Sequence, residues 1–246
     1  MLKILLKTIF FWDPTARFEL LTKIGKILVP DYRFKWPQME WWKDKKFNTY
    51  LEKFLTDNEM NLDRKWMVSE LLRFVDSIEG DTAECGVFNG STSYLICQAN
   101  ETSSFEKKHY GFDSFEGLSE PLKNDGNYWK TNDLSISEKI ATQNLSCFKK
   151  VSLLKGWIPQ KFKEVENHSF SFVHIDVDIY QPTKDSIEFF YPRMTKGAIL
   201  VCDDYGFTTC PGATQAIDEF LKDKKEKMIR LSGGGGFFIK GQKTKP

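Results

Sequence analysis

Four aspartates stand in two pairs, each ending an apolar run: Asp176 and Asp178 in SFVHIDVDIY (171–180), Asp203 and Asp204 in AILVCDDYG (198–206). Carboxylates gathered at one edge repel each other unless something neutralises them, and a hard cation is the usual answer. Strand alternation puts His174, Asp176 and Asp178 on one side of the first run. The blander reading is that these acids cap the helix and loop that follow.

The elements that must position them read as strand, helix, strand. Phe172, Val173, Ile175 and Val177 give the run 170–179 the pattern of a strand buried on both faces. Pro182 suits a first helical turn, Lys196-Gly197 a helix stop, and 198–202 a second buried strand. A crossover between parallel strands sets their carboxyl ends side by side, where open α/β sheets bind ligands.

Upstream, DTAECGV (81–87) reads as a strand, followed by the turn Phe88-Asn89-Gly90-Ser91 and a helix to about Ala99. Glycines at Gly86 and Gly90 let a backbone approach a ligand at a helix amino terminus, although the spacing is not the dinucleotide GxGxxG. KKHYGF (107–112) is the second strand, and Asp113 after it is placed either to bind ribose hydroxyls or to cap the turn Ser114–Gly117. The polar stretch 120–133 is a loop, 135–143 a helix, 151–154 a third strand and Gly156-Trp157 its turn. Trp157 packs on an adenine face or on the sheet edge. Residues 213–224 form another helix, and 228–231 and 237–240 a hairpin across Gly233–Gly236. The predicted fold is α/β: a doubly wound, Rossmann-like sheet, mostly parallel with a final antiparallel strand. That ending favours a class I methyltransferase sheet over a dehydrogenase one.

Residues 62–78 read as an amphipathic helix with Arg64 and Lys65 outward. Residues 1–60 form a helical extension dense in aromatics (Phe34, Trp36, Trp41, Trp42, Phe47, Tyr50), read as a lid or interface over a main domain at 61–246. The basic, apolar start MLKILLKTIFFW is too short to span a membrane. It suits an amphipathic helix that docks on a membrane, on a second copy in a homo-oligomer, or on the chain itself, with packing favoured over peripheral membrane contact.

At 246 residues and 41% hydrophobic, the chain can bury one sizeable core. A net charge of +1 supplies no global field for nucleic acid. Five cysteines without CxxC spacing suggest a reducing, cytoplasmic setting.

Four segments taken together (AECGVFNGSTS at 83–93, YGFDSFEGLSEP at 110–121, HIDVDIYQPT at 174–183 and CDDYGFTTCPGATQAIDEF at 202–220) resemble the macrocin O-methyltransferase family, the TylF/MycF group. The resemblance runs from about Trp66 to Lys240. It implies an S-adenosylmethionine-dependent enzyme that methylates sugar hydroxyls with a divalent metal, magnesium or another such as manganese or calcium. It implies that Glu84, Gly86, Gly90 and Ser91 cradle the methionine end of the cofactor. Asp113 would bind the ribose with Ser114 and Phe115 beside it, near Gly156 and Trp157. Asp176, Asp203 and Asp204 would hold the metal, with Asp178 touching cofactor or substrate. The family's usual leucine–tyrosine–glutamate–serine continuation is here Ile179-Tyr180-Gln181-Pro182, and the amino-terminal third has no counterpart, leaving the acceptor glycan or small molecule unspecified.

A sugar hydroxyl is a poor nucleophile, and a carboxylate beside a cation can take its proton as it attacks a sulfonium methyl. Asp176 is the expected general base as well as a ligand, with His174 the alternative. Two other readings stand beside this one: a nucleotide-linked oxidoreductase, which has no use for the acid pairs, and a non-catalytic methyltransferase-fold binding protein, which has no reason to keep them.

Overall fold

The computed structural model describes residues 13–36, 38–54 and 61–245. The segment 1–12, expected to be amphipathic, lies outside them. The chain divides into two compact units, Met1–Leu55 and Thr56–Pro246.

In the first unit, α1 (Pro14–Leu28) starts where the Asp13 side chain accepts the Thr15 and Ala16 amides, with proline in its first turn. A short helix, α2 (Lys45–Phe54), follows, with Asp44 accepting the Phe47 amide. Phe47 and Tyr50 are buried and their rings stack, whereas Leu28, Trp36 and Tyr32 are exposed. No helix among the described residues is long and apolar enough to cross a membrane.

The second unit opens with α3 (Leu62–Leu72) and alternates strands and helices: β1 (Asp81–Cys85), α4 (Ser91–Glu101), β2 (His109–Asp113), α5 (Glu138–Leu145), β3 (Val151–Lys155), β4 (Phe170–Ile175), α6 (Tyr180–Phe190), β5 (Met194–Cys202), α7 (Pro211–Leu221), β6 (Ile229–Arg230) and β7 (Gly236–Ile239). The strand order is β3-β2-β1-β4-β5-β7-β6. The first five strands are parallel, and β7 runs antiparallel to both β5 and β6. This is the expected doubly wound sheet with its antiparallel ending.

Period-2 alternation divides the core. Ala83, Cys85, Val173, Ile175, Leu200 and Cys202 pack on one face with residues of α6 and α7, such as Ile187, Phe190 and Ile217. Phe172, Ile199 and Val201 pack on the other with Val68, Leu71 and Leu72 of α3 and Ile96 of α4. Phe112, Phe170, Phe172, Phe190 and Phe238 are completely buried, each contributing about 1.5–3 kcal/mol by leaving water. The alternation also places Glu84 and His174 on the α3/α4 face, and the register sets them side by side.

Boundaries differ from expectation in two places that matter. β4 ends at Ile175, so Asp176–Asp178 form a turn and strand alternation stops before them. Asp178 has φ +63, which swings its carboxyl away from the side His174 shares with Asp176. Lys196-Gly197 does not stop a helix; it lies inside β5, where the Gly197 amide pairs with the Lys240 carbonyl.

Candidate active site

Strand order reverses between β1 and β4, so the crevice of the sheet opens at their carboxyl ends. Two loops meet there. Gly86, at φ +85, lies so close to the acid turn that a Cβ would come within 1.7 Å of the Asp176 carbonyl oxygen. The Asp176 amide in turn donates to the Cys85 carbonyl at 2.9 Å. The glycine turn and the acid turn are thus packed backbone against backbone. Gly90, at φ +82, is the N-cap of α4 with no side-chain cap, and the Ser91 amide donates to Asn89 Oδ1.

Asp113 orders this turn from the neighbouring strand. Its Oδ2 accepts the Val87 and Phe88 amides, both at 2.8 Å, and its Oδ1 accepts the Phe115 amide at 2.6 Å. Burial raises its pKa, with those three amides pulling the other way. Phe115 is buried against Val87 and Ala141. Ser114 closes the next turn, its hydroxyl donating to the Gly117 carbonyl. Beside them the Gly156 amide donates to the Asp113 carbonyl, which brings the half-buried Trp157 next to the same crevice. The crevice therefore brings together the residues expected around a nucleoside, and Asp113 spends both oxygens on shaping it.

Glu84 sits one layer deeper, 1% exposed. Ser93 donates to its Oε2, His109 Nε2 lies 2.9 Å from the Ser93 hydroxyl, and Thr82 lies 3.0 Å from His109 Nδ1. Burial holds His109 down to about 4, so it is neutral. The chain of donors then runs one way, Thr82 to His109 to Ser93 to Glu84. Burial alone would raise Glu84, but the His174 ring and the Ser93 hydroxyl outweigh it and hold its pKa below the ordinary value. Glu84 is placed to support the turn from beneath.

The four aspartates divide into two constellations. Ligand atoms of His174, Asp176 and Asp203 lie within 4.8 Å of one another, as do those of Asp178, Asp204 and Cys210. In the first, His174 Nδ1 is 3.2 Å from Glu84 Oε1 and Nε2 is 3.6 Å from Asp203 Oδ1. Both nitrogens lie outside hydrogen-bonding geometry, and the ring is 0% exposed. The His174 ring thus lies buried between two acids, Glu84 and Asp203. Asp176 is the half-buried carboxylate of the four; Asp178, Asp203 and Asp204 are buried.

In the second constellation, Asp204 Oδ2 accepts the Val177 and Asp178 amides at 3.1 and 2.8 Å, and Cys210 Sγ is 3.8 Å from Asp178 Oδ1. Burial raises both carboxyls; repulsion from Asp204 and Asp176 raises Asp178 further, and repulsion from Asp176 raises Asp204. A loop seals this side. Asp125 accepts the Tyr180 amide at 2.6 Å, and Trp129 Nε1 donates to Cys210 Sγ at 3.3 Å.

The sequence reading missed two cations. Arg64 and Lys65 do not point outward. Arg64 Nη1 donates to Asp203 Oδ2 in an ion pair, and Lys65 Nζ donates to the Thr92 hydroxyl at the start of α4. Burial lowers Lys65, while Asp176 and then Glu84 oppose the shift. The signal was present: Arg64 falls four and seven residues before Val68 and Leu71, and Lys65 three and seven before Val68 and Leu72, so both share the buried stripe of α3.

An oxygen-rich, mutually repelling set at a strand edge fits a hard divalent cation, with Asp176 and Asp203 as the donors brought together and Asp204 in the adjoining set. The glycine turn, the α4 amino terminus and Asp113 fit a nucleoside-linked amino acid.

The Macrocin-O-methyltransferase (TylF) family profile matches residues 66–240. The chain belongs to this family. That places it among the S-adenosylmethionine-dependent O-methyltransferases. It is 24% identical over 180 residues to demethyldecarbamoylnovobiocin O-methyltransferase of Streptomyces niveus, covering 66% of this chain and 67% of that protein. It is 25% identical over 161 residues to mycinamicin III 3''-O-methyltransferase of Micromonospora griseorubida, covering 59% and 61%. The alignments thus span about two thirds or less of those relatives. Among solved structures, the calicheamicin methyltransferase CalS11 superposes with a TM-score of 0.67 at 19% identity over 94% of both chains. The O-methyltransferase NovP gives 0.60 at 22% identity, over 74% of this chain and 81% of its own. These likenesses establish a class I methyltransferase fold.

Proposed function

We propose that this methyltransferase acts on a hydroxyl of a sugar or glycosylated small molecule, with a divalent cation at the acid edge. The observation that carries the reading is the junction of the glycine turn with the acid turn, where Asp176 is the half-buried carboxylate among buried ones. The relatives support the acceptor class: one is described as acting at the 3'' position of mycinamicin III, another at the 4' position of a rhamnosyl tetracenomycin.

S-adenosylmethionine, when bound, supplies an electrophilic methyl group, and a hard cation supplies Lewis-acid polarisation of the acceptor hydroxyl. The chain's residues do the rest. Asp113 fixes the Val87 and Phe88 amides that line the cofactor crevice. Asp176 and Asp203 would hold the cation, with Asp204 buttressing the acid turn through two amides. Asp176 accepts the hydroxyl proton at a carboxylate oxygen, since it alone of the four aspartates is not buried. Asp178 lies beside the crevice, where burial favours its protonated form. The oxidoreductase reading falls with the family, and the binding-protein reading is opposed by the retained acids.

We also infer a cofactor-independent task for the amino-terminal unit, covering the acceptor or joining two copies, supported by its exposed Leu28, Tyr32 and Trp36. Deleting Met1–Tyr50 would then cost acceptor binding or dimerisation while S-adenosylmethionine still binds. All five cysteines are free, which supports a cytoplasmic setting.

The deciding experiment measures methyl transfer to nucleotide- and lipid-linked sugars before and after exhaustive chelation. Turnover with added magnesium and none after chelation is expected. Full turnover without metal would overturn the metal role, and no transfer to any glycosylated acceptor would overturn the substrate class.

A further inference from the structure

The geometry points to a second role for α3: Arg64, backed by Lys65, is the resident counter-charge of the acid edge, and it occupies Asp203 until a divalent cation displaces it. This rests on the metal reading above.

Asp203 has one carboxylate oxygen committed to Arg64 and the other turned towards His174. Its Oδ2 receives Arg64 Nη1, and its Oδ1 faces His174 Nε2 at 3.6 Å. Arg64 reaches the Asp203 carbonyl as well, at 3.4 Å. The pair is substantially buried, with the Arg64 side chain 16% and that of Asp203 6% exposed. Lys65, on the next residue of α3, donates to the Thr92 hydroxyl, and the charges of Asp176 and Glu84 oppose the lowering of its pKa by burial. One side chain of α3 thus brings a positive charge onto a carboxylate of the first constellation, where a divalent ion would bring its own.

An ion that uses Asp203 must therefore compete with a charge-assisted contact. Its measured affinity is the intrinsic affinity less what Arg64 gains by staying. Displacement does not strand the guanidinium. Arg64 Nη2 already donates to Asn61 Oδ1, and the group lies 4.9 Å over the Phe207 ring. That ring packs closely on Gly234, where a Cβ would come within 2.2 Å of it. These partners remain when the Asp203 contact is given up. The arrangement lets the metal-free chain keep its acids together, and it couples metal occupancy to the helix that also holds Thr92 at the cofactor turn.

Calorimetric titration of the full-length protein with Mn²⁺, without cofactor or acceptor, tests this directly. Wild type is compared with Arg64→Met, which keeps the stem and removes the charge, and with Arg64→Lys, which keeps the charge and removes the fork. Arg64→Met should bind Mn²⁺ about tenfold more tightly or better, with Arg64→Lys between it and wild type. The melting temperature of metal-free Arg64→Met should fall and its rise on adding Mn²⁺ should exceed that of wild type. Equal or weaker Mn²⁺ binding by a folded Arg64→Met overturns the inference and leaves the metal reading standing. Failure of all three proteins to bind Mn²⁺ overturns both. Binding by Arg64→Met but not by wild type supports displacement in its strongest form. If Arg64→Met does not fold, Arg64→Lys alone decides, and Mn²⁺ binding no tighter than wild type then counts against displacement.

Discussion

Asp176 and Asp203 belong to one constellation and Asp178 and Asp204 to another, although the chain supplies them as two adjacent pairs. The two sets face the same difficulty, negative charge out of water, and meet it differently. The first is answered by cations: Arg64 on Asp203 and Lys65 towards Asp176. The second is answered by two backbone amides on Asp204 and by protons, since burial and the charges of neighbouring acids raise both carboxyls. Asp113 shows a third solution, three backbone amides on one carboxylate. A site that needs a cation and a base should place that chemistry in the first set, which holds the half-buried Asp176, and its rigid carboxylates in the second. Four perturbations separate the two sets.

The largest effect is expected at Asp176. Asp176→Asn should retain an amide oxygen able to coordinate, so excess magnesium restores metal binding. The chemical step should stay slower by ~10²–10⁴-fold, the range of a lost general base. Single-turnover rates at saturating metal check this; near-native rates would leave Asp176 a ligand only and make Asp178 the next base to test. The second is Asp203→Asn, which should weaken metal binding by about 10–100-fold while the S-adenosylmethionine dissociation constant changes little. Loss of cofactor affinity of equal size would mean that the first set belongs to the cofactor crevice instead.

The third concerns protons. Asp178 is raised from 3.8 to about 9 and Asp204 to about 7. Folded pKa values above the unfolded ones mean that the folded chain binds more protons between about 4 and those values. Their contribution to stability is complete below the unfolded pKa and is lost as pH rises through the raised range of the pair. Metal-free protein should therefore melt at falling temperature from pH 6 to pH 9. Asp178→Asn removes one titration, and should flatten that fall and raise the melting temperature at pH 8.5 by roughly 2–4 °C. Magnesium should flatten the wild-type profile too, because cation binding favours the deprotonated acids. A melting temperature that climbs with pH would reverse the assignment.

Much of this was legible before the structure. Continuous apolar runs ending in acid located β4 and β5, and the glycine run located the final hairpin, because burial on both faces and tight turns leave strong local signatures. The division of the aspartates was not legible. It depends on β4 stopping at Ile175 and on the positive φ of Asp178, and neither feature leaves a periodic trace. Arg64 and Lys65 were misplaced for a different reason. A charged residue reads as solvent-facing by habit, yet both lie on the stripe of Val68, Leu71 and Leu72, and their partners are more than 25 residues away in the chain. The stretch 120–133 reads as a loop from its polar, turn-rich composition. That Asp125 pins it to Tyr180 and Trp129 to Cys210 is tertiary information.

The smallest effect should come from Cys210, and it bears on whether the second set is a metal site at all. A thiol beside two carboxylates would suit a softer cation such as zinc, which requires the thiolate. Here burial pushes Cys210 up to about 12, Asp204 adds to the rise, and the sulfur accepts the Trp129 indole N–H. The thiol is therefore protonated at neutral pH and serves as a buried acceptor. Cys210→Ala should leave Mg²⁺ and Mn²⁺ affinities within about twofold. It should cost about 1 kcal/mol of stability by leaving the partly buried indole N–H without its acceptor. Denaturant melts and metal titrations on the same preparation distinguish the cases. If Cys210→Ala abolished tight zinc binding in a protein that otherwise bound it, the second set would be a metal site, and its raised carboxyls would describe only the metal-free state.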